Sequence, residues 1–470
     1  LRRAGGGADP MRAGAATLDI TPPVGVALAG SFTARYATGI ADPLSCRAVV
    51  LEDGAGPGGR IALVLCDLIC MPGATVRAVR ERLAGGTDVP PDRILIAGTH
   101  THTAASPTGL LGTPPASEYM AALPERIATA IGMAAQRLRP ARAAWGAGEE
   151  GGVVFNRRFR MRDGTVRMNP GRRNPDALAP VGPVDPQLGV LWIEGEDGVP
   201  IACLASYALH YVGTDGAALV SADYFGAYDR WLRRIFGPEV VPFLFNGASG
   251  DVNNVDVHDP AQLSGRRQAE RVAGILAGET LRVVQRAAPA ATREVPLGAV
   301  GARLPFQRKA ITAGDLEVAG RLLALPEDVP PAERRARAGA GAAGPFSWVV
   351  GQPLPDEVLV QYAAECRRLA ELPLAQETEL IALRVGDCAW IGLPGEIFVE
   401  LGLAIKASSP FAPTLVASLA NDYVGYVPTR RAAEMEGGYE TWAARSALPA
   451  AGTGDAMVDL AGQLLDALRG

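Results

Sequence analysis

The chain has 470 residues, of which 48% are hydrophobic and 20% are charged, and this balance is typical of a folded globular protein. Its formal net charge at pH 7 is -5, and arginine carries almost all of the positive charge, because Lys309 and Lys406 are the only lysines. Without a basic cluster, the protein is not expected to bind nucleic acid. No run of roughly 18–20 apolar residues occurs, so no integral membrane segment is expected.

The N-terminal sequence, LRRAGGGADPMRAGA, lacks the apolar core of a secretory signal. We interpret residues 1–16 as a flexible leader and expect a cytoplasmic location. Most of the six cysteines lie within apolar runs such as ALVLCDLIC, and no CxxC pair occurs. They are therefore predicted to be buried free thiols of a reducing compartment, and a cysteine zinc site is not expected.

Short segments rich in Val, Ile and Leu alternate with longer segments of helical periodicity, which predicts an α/β protein with layered mixed β-sheets and flanking helices. In chain order, the predicted strands are 60–69, 93–100, 188–195, 200–210, 240–247, 379–386, 388–395 and 413–421. The predicted helices are 117–138, 226–236, 263–287, 356–371 and 454–468. Between the third and fourth strands, EGEDGVP contains Asp-Gly and predicts a hairpin turn.

No internal repeat and no clear linker divides the sequence, so we predict a single domain over residues 17–470. The segment 325–355 is crowded with Pro, Ala and Gly, which predicts a long surface excursion. No heptad pattern is present, and the sequence therefore leaves the oligomeric state open.

The most informative motif is ILIAGTHTHTAASP, residues 94–107, which places His100 and His102 at the end of an apolar strand. Alternate residues of a strand point to the same face, so both imidazoles are predicted to enter one site. The end of such a strand lies at a sheet edge, where α/β proteins form binding crevices. This pattern favours a metal-binding or catalytic role over two hydrogen-bonded core histidines.

The chain contains four histidines, which limits the kinds of metal site that it can form. A binuclear amidohydrolase-type site would use all of them, including His258, together with an aspartate. A β-lactamase-like site expects an aspartate two residues after the second histidine, where this chain has Ala104. A single ion with few histidine ligands and added oxygen donors fits better. His210, at the end of ASYALH, is the best third ligand.

Three further segments carry candidate residues. Glu396 follows a Pro-Gly turn after a predicted strand, where it is equally explained as a metal ligand or as an acid favoured at a helix start. The segment LFNGASGDVNN contains residues that could orient the ligands or bind substrate, although an ordinary strand-to-helix loop explains them equally well. These residues are Asn246, Asp251 and Asn253.

The segment 421–440 is rich in tyrosine. It contains Tyr423, Tyr426 and Tyr439, and on residue type alone these side chains favour packing over catalysis.

Taken in order, DITPPVGVALAG, GTHTHTAASP, FNRRF, FNGASGDVNN, GLPGEIF, NDYVGYVPT and GGYE resemble the motifs of the neutral/alkaline, non-lysosomal ceramidases, from Thr17 to Trp442. The resemblance implies the layered α/β fold of that family's catalytic domain and a zinc-dependent amidase of lipid metabolism. It implies one zinc ion per chain, with the ligands His100, His210, Glu396 and Tyr426. It also implies His102 as the acid/base group, and Arg157 and Tyr439 as the groups that contact the scissile amide and its oxyanion.

The sequence departs from the ceramidase pattern in two places. The ceramidase motif GDVSPN reads GDVNNV here, so Asn253 replaces a serine, and only a helical segment follows the tyrosines where ceramidases have a β-sandwich domain. The expected substrate is a small linear N-acyl amide other than ceramide, cleaved by a metal-activated water. The alternatives are a metal-dependent esterase or phosphatase, in which Arg157 and Arg158 bind an anion, and a non-catalytic protein of the same fold.

Overall fold

The computed structural model describes residues 10–84, 88–213, 218–339 and 346–469. The helices are α1 (Gly73–Leu83), α2 (Ser117–Gln136), α3 (Asp223–Phe236), α4 (Gly265–Ala287), α5 (Ala313–Leu323), α6 (Pro331–Arg337), α7 (Leu359–Glu371), α8 (Val399–Ser408) and α9 (Thr453–Arg469). The strands are β1 (Arg12–Asp19), β2 (Ala27–Leu28), β3 (Arg35–Tyr36), β4 (Gly39–Ile40), β5 (Ser45–Glu52), β6 (Ile61–Cys66), β7 (Ile94–Gly98), β8 (Arg139–Glu149), β9 (Phe155–Asn156), β10 (Arg158–Met161), β11 (Val166–Met168), β12 (Ala177–Pro180), β13 (Gln187–Gly195), β14 (Pro200–Tyr207), β15 (Leu219–Val220), β16 (Val241–Asn246), β17 (Val252–Asn253), β18 (Leu297–Gln307), β19 (Ala375–Val385), β20 (Cys388–Gly392), β21 (Glu396–Ile397), β22 (Thr414–Ala417) and β23 (Tyr426–Val427).

Two mixed sheets form the centre of the molecule. The larger has eight strands in the order β16-β14-β13-β8-β1-β5-β6-β7, and the smaller has four in the order β18-β19-β20-β22. Most neighbours are antiparallel, but β6 and β7, β14 and β16, and β20 and β22 run parallel. This architecture confirms the predicted layered α/β fold with mixed sheets.

The two sheets pack face to face, and helices cover their outer faces. Along β6, Leu63 and Leu65 point into a core shared with Leu383 and Trp390 of the smaller sheet. The alternate side chains of β6, such as Val64, point instead towards α1 and α2. Helices α3 and α4 cover the rest of that face, and α8 and α9 cover the smaller sheet. Because β6 is buried on both faces, its sequence is apolar at every position.

The predicted strands and helices are confirmed as to type, with boundaries shifted by a few residues. The predicted hairpin is the antiparallel pair β13 and β14, with Gly198 in its turn at a φ of 78°. The predicted leader extends too far, because residues 12–16 belong to β1 and pair with β5; residues 1–9 lie outside the described part. The sequence pattern does not predict β1 because Ala and Gly provide little strand signal.

The predicted surface excursion at 325–355 is only partly correct. It contains α6, and the side chains of Phe346 and Leu354 are buried beside α7. Residues 340–345 lie outside the described part of the chain. Aromatic and aliphatic residues within a segment rich in Pro and Gly therefore join a core that they share with α5 and α7.

All six cysteines are buried and free, as predicted. None of the described helices combines the length and the apolar character that a membrane crossing requires.

Candidate metal and catalytic site

The loop after β7 carries the first two histidines. Because β7 ends at Gly98, neither His100 nor His102 lies in a strand, and the prediction that they share a strand face is wrong. His100 instead has a φ of 76°, a left-handed conformation that is strained for a residue with a Cβ. Its backbone N–H donates to the carbonyl of Leu68 at 2.8 Å. This turn brings the two imidazole rings within 4.9 Å, centroid to centroid.

Asp223, the first residue of α3, holds this loop in place. Its Oδ2 accepts hydrogen bonds from Thr101 Oγ1 at 2.8 Å and from the backbone N–H of His102 at 3.0 Å. Its Oδ1 accepts from Thr103 Oγ1 at 3.2 Å. Burial raises the pKa of Asp223 to about 6. The sequence analysis did not identify this residue, because an aspartate at a helix start is common for other reasons.

His210 lies just beyond β14 and completes a cluster of three imidazoles. Its Nε2 lies 3.2 Å from His100 Nε2 and 2.9 Å from His102 Nε2. His100 and His210 are buried and His102 is half-buried. One ring nitrogen from each of the three lies within 4.8 Å of the others, which is close enough to hold one metal ion. His258 is exposed and packs against Phe159 instead.

Glu396 reaches the histidines from a separate two-stranded sheet. In it, β21 pairs with β23, and Glu396 lies opposite Tyr426. Its Oε2 lies 3.3 Å from His100 Nε2 and 3.6 Å from His210 Nδ1. Its Oε1 accepts a hydrogen bond from Tyr423 Oη at 2.8 Å. Burial alone would raise the pKa of Glu396, but His100, Tyr426 and Arg157 together hold it below its usual value.

These residues fit a zinc ion. His100 Nδ1 lies 2.6 Å from the carbonyl of Ile69, which can only accept, so Nδ1 carries the hydrogen and Nε2 presents a lone pair. Glu396 Oε2 is buried without a hydrogen-bond partner among the described residues. Two electron-rich atoms 3.3 Å apart are held together by a cation, which is either a shared proton or a metal ion. Ligand atoms around tetrahedral zinc are also about 3.3 Å apart, and imidazole with carboxylate is a donor set that suits zinc.

Arg157 borders the cluster on the side of His210. Its Nη1 lies 3.2 Å from His210 Nδ1, and its guanidinium lies 5.4 Å from the centre of the Tyr426 ring. Its Nε donates to Glu440 Oε1 at 2.9 Å. Glu440, fully buried, also accepts from Arg158 Nη1 at 2.8 Å. The sequence analysis did not identify Glu440 as a partner because the arginines lie some 280 residues away in the chain.

Tyr426 and Tyr439 form the remaining wall of the site. Their rings are 5.5 Å apart at an interplanar angle of 70°, and the Arg157 guanidinium lies over the Tyr426 ring. Burial raises the pKa of both phenols, so both stay protonated at neutral pH in this structure. The structure therefore brings together all of the residues that the ceramidase resemblance implies for the site.

The three polar residues of the segment 244–254 lie behind the site, and none of them lines the cavities described below. Asn246 Oδ1 accepts from the backbone N–H of Leu209, next to His210, at 3.3 Å. Asp251 Oδ1 accepts from the N–H of Val399 at 2.7 Å. Asn253 pairs through its backbone with His210. Through these contacts they support the segments that carry His210 and Glu396, and they do not face either cavity.

Asp251 provides a test of pH dependence. Burial raises its pKa from 3.8 to about 6, so the folded protein retains this proton to higher pH than the unfolded chain. Its stabilising effect is complete below about pH 4 and is lost as the pH rises through about 6, a change of at most about 3 kcal/mol. As the pH rises from about 4 to about 6, the free energy of unfolding of the wild type, measured in urea, should fall relative to that of Asp251→Asn. Parallel pH profiles would contradict the assignment.

Two cavities meet at the histidine cluster. The first has an empty volume of about 620 Å³, and the second, more open, has one of about 950 Å³. His102, Tyr426 and Tyr439 line both. The apolar residues of the first include Phe32, Ile69, Pro107, Leu110 and Leu111. The second includes Arg35, Arg157, Met168, Asn169 and His210. A ligand that spans the two cavities would therefore pass directly beside the cluster.

No protein-family model matches the sequence, and no curated protein matches it either. Among solved structures, the chain is similar to the neutral ceramidase of Pseudomonas aeruginosa, with a TM-score of 0.70 and 21% identity over 98% of this chain and 74% of that one. It is equally similar to a ceramidase complexed with C2, with a TM-score of 0.70 and 21% identity over 98% and 75% of the two chains. Over nearly its whole length, the chain therefore has the fold of the neutral ceramidases.

Proposed function

We propose that the protein is a zinc-dependent hydrolase that cleaves a linear N-acyl amide. The observation that carries the proposal is the buried pair of His100 Nε2 and the unpartnered Glu396 Oε2, 3.3 Å apart beside His210, where two cavities meet. The ceramidase motifs in the sequence imply amide hydrolysis, and the shared fold supports this.

His100, His210 and Glu396 would hold one zinc ion, with Tyr426 as the fourth ligand implied by the ceramidase resemblance. When bound, zinc polarises a carbonyl group and makes water a nucleophile near neutral pH. His102 also lies within reach of the cluster and could replace a ligand. We assign it instead to proton transfer, because it lines both cavities, where a substrate would contact it.

The protein's own groups then act on the substrate in defined ways. Burial and the neighbouring His100 lower the pKa of His102, so its imidazole is neutral at pH 7 and has a free lone pair that can take a proton from water. It can return that proton to the leaving amine. Arg157 and Tyr439 provide N–H and O–H donors at the wall, which would stabilise the developing oxyanion. Glu440 fixes the direction of the Arg157 guanidinium.

Tyr423 offers a test of the metal site that does not depend on activity. Its hydroxyl donates a hydrogen bond to Glu396 Oε1, while Oε2 faces the histidines. Tyr423→Phe should therefore weaken zinc binding about 10- to 100-fold, the usual cost of losing a group that orients a ligand. Competition with a chromogenic chelator would measure the change. Tyr36→Phe, at an exposed tyrosine, is the matched control, and equal affinities in both variants would contradict this role.

The alternatives of the sequence analysis have less support. In the phosphatase alternative Arg157 and Arg158 bind the anion, but both are paired with Glu440, and Arg158 is also paired with Glu436. A non-catalytic protein would not need cavities that lead to a buried histidine cluster.

A panel of three model substrates with the same acyl or alkyl group would test the proposal: an N-acyl amide, an ester and a phosphate monoester. We expect zinc-loaded protein to release the amine from the amide, and we expect no turnover of the phosphate. Faster turnover of the phosphate than of the amide would favour the phosphatase reading. Loss of amide turnover in His102→Ala, with zinc still bound, would support the proton-transfer role.

A further inference from the structure

Arg35 lies in the wall of the more open cavity, beside the proposed proton-transfer residue. Its Nη2 donates to the backbone carbonyls of Ala29 at 2.7 Å and of His102 at 2.9 Å. Its Nε is buried without a hydrogen-bond partner, and no described residue accepts from its Nη1. Two backbone contacts thus fix the guanidinium in place while leaving other donors unused.

The charge of Arg35 is also unpaired. Among the described residues, no carboxylate lies within ion-pair distance of it, whereas Arg157, the other arginine of the same cavity, pairs with Glu440. Asp223 acts on Arg35 only at longer range, and its oxygens already accept hydrogen bonds from Thr101, Thr103 and the His102 N–H. A half-buried cation without a counter-ion is costly, and a bound anion would remove that cost.

The two cavities differ in the chemistry that they offer. The first presents Ile69, Leu110 and Leu111, and the second presents the Arg35 guanidinium. Since Arg35 binds the backbone oxygen of His102, an anion held there lies beside the loop that carries His102. The apolar part of a linear amide belongs in the first cavity, and a charged end belongs in the second.

We propose that the substrate is an N-acyl amino acid, whose carboxylate binds Arg35 and whose acyl chain lies in the apolar cavity. This inference rests on the proposed amidase function, and it specifies the substrate class of the same site. In an N-acyl amino acid the carboxylate lies next to the amide, as Arg35 lies next to the backbone of His102. An uncharged amine part, as in ceramide, would leave the guanidinium unpaired.

Binding of two matched analogues to the zinc-loaded protein tests the proposal. The first is the ketomethylene isostere of N-nonanoylglycine, in which a CH₂ group replaces the amide N–H so that no amide is hydrolysed. The second is the same molecule with a terminal carboxamide in place of the carboxylate. Calorimetry should show the carboxylate binding about 10- to 100-fold more tightly to the wild type, the range for a charge-assisted hydrogen bond.

The ratio of the affinity for the carboxylate to the affinity for the carboxamide separates charge recognition from structural damage. A displaced loop would weaken the binding of both analogues alike and leave this ratio unchanged. Arg35→Gln should reduce the ratio to about one, and Arg35→Lys should retain part of it. Arg172→Gln removes one exposed charge outside the cavities and should leave the ratio unchanged. Equal affinities in the wild type, a preference kept in Arg35→Gln, or no binding of either analogue would overturn the proposal.

The binding test is independent of turnover, so the two proposals can fail separately. A carboxylate preference that depends on Arg35, in a protein that hydrolyses no amide, would support the anion site and remove the amidase function. Amide hydrolysis without any such preference would keep the amidase function and overturn the substrate class.

Discussion

Replacing His210 with alanine is expected to abolish tight zinc binding and amide hydrolysis together. Its Nε2 lies 3.2 Å from His100 Nε2, and it is the proposed ligand that connects the loop after β14 to the loop after β7. Loss of a group that orients a ligand typically weakens metal affinity about 10- to 100-fold, and loss of the ligand itself should weaken it further. Elemental analysis after dialysis against metal-free buffer, with activity assays on the same samples, would measure both effects.

His258→Ala is the matched control for that experiment, because this fourth histidine is exposed and lies outside the cluster. We expect it to keep the zinc content and activity of the wild type. Wild-type zinc affinity in His210→Ala would contradict the assigned ligand set.

The second large effect is expected from Glu440→Gln, and it concerns stability. Glu440 is fully buried and pairs with two buried guanidinium groups, with Oε1 facing Arg157 Nε at 2.9 Å and Oε2 facing Arg158 Nη1 at 2.8 Å. Removing one partner of a buried ion pair leaves an uncompensated charge and typically costs about 3–5 kcal/mol. Urea unfolding should show a loss of this size in the free energy of unfolding.

Glu434→Gln provides the comparison. This glutamate lies six residues earlier in the same segment and pairs with Arg430 at 3.4 Å, but both side chains are about half exposed. The expected loss there is below about 1 kcal/mol. Equal losses in the two variants would mean that the buried charge network does not stabilise the fold as described.

Much of the fold could be predicted from local sequence. Strands such as β6 and β16 are apolar at nearly every position because sheets or helices cover both of their faces, and this pattern is visible in the residues themselves. Strands β8 and β18 were missed because Ala, Gly and Arg occupy many of their positions. Their pairing is decided by neighbouring strands far away in the sequence, which local propensity does not describe.

The candidate site, like the fold, could be predicted only in part from local sequence. The HxH motif predicted one shared site, and the rings do meet, but through the left-handed turn at His100 and not through the alternation of a strand. Glu396 and Tyr426 gained their proposed roles from the ceramidase resemblance, because residue type alone leaves Glu396 undecided and favours packing for Tyr426. The positions of Asp223, Glu440 and Arg35 depend on contacts between distant segments, so the sequence gives no signal for them.

Titration of zinc into metal-depleted protein, with the released amine measured at each addition, tests the central claim most directly. We expect negligible amide hydrolysis without metal, a rise with each addition of zinc, and a plateau at about one zinc ion per chain. Amine release that is unaffected by removing zinc, or one bound zinc ion with no hydrolysis of any N-acyl amide, would contradict the account of this protein as a zinc-dependent amidase.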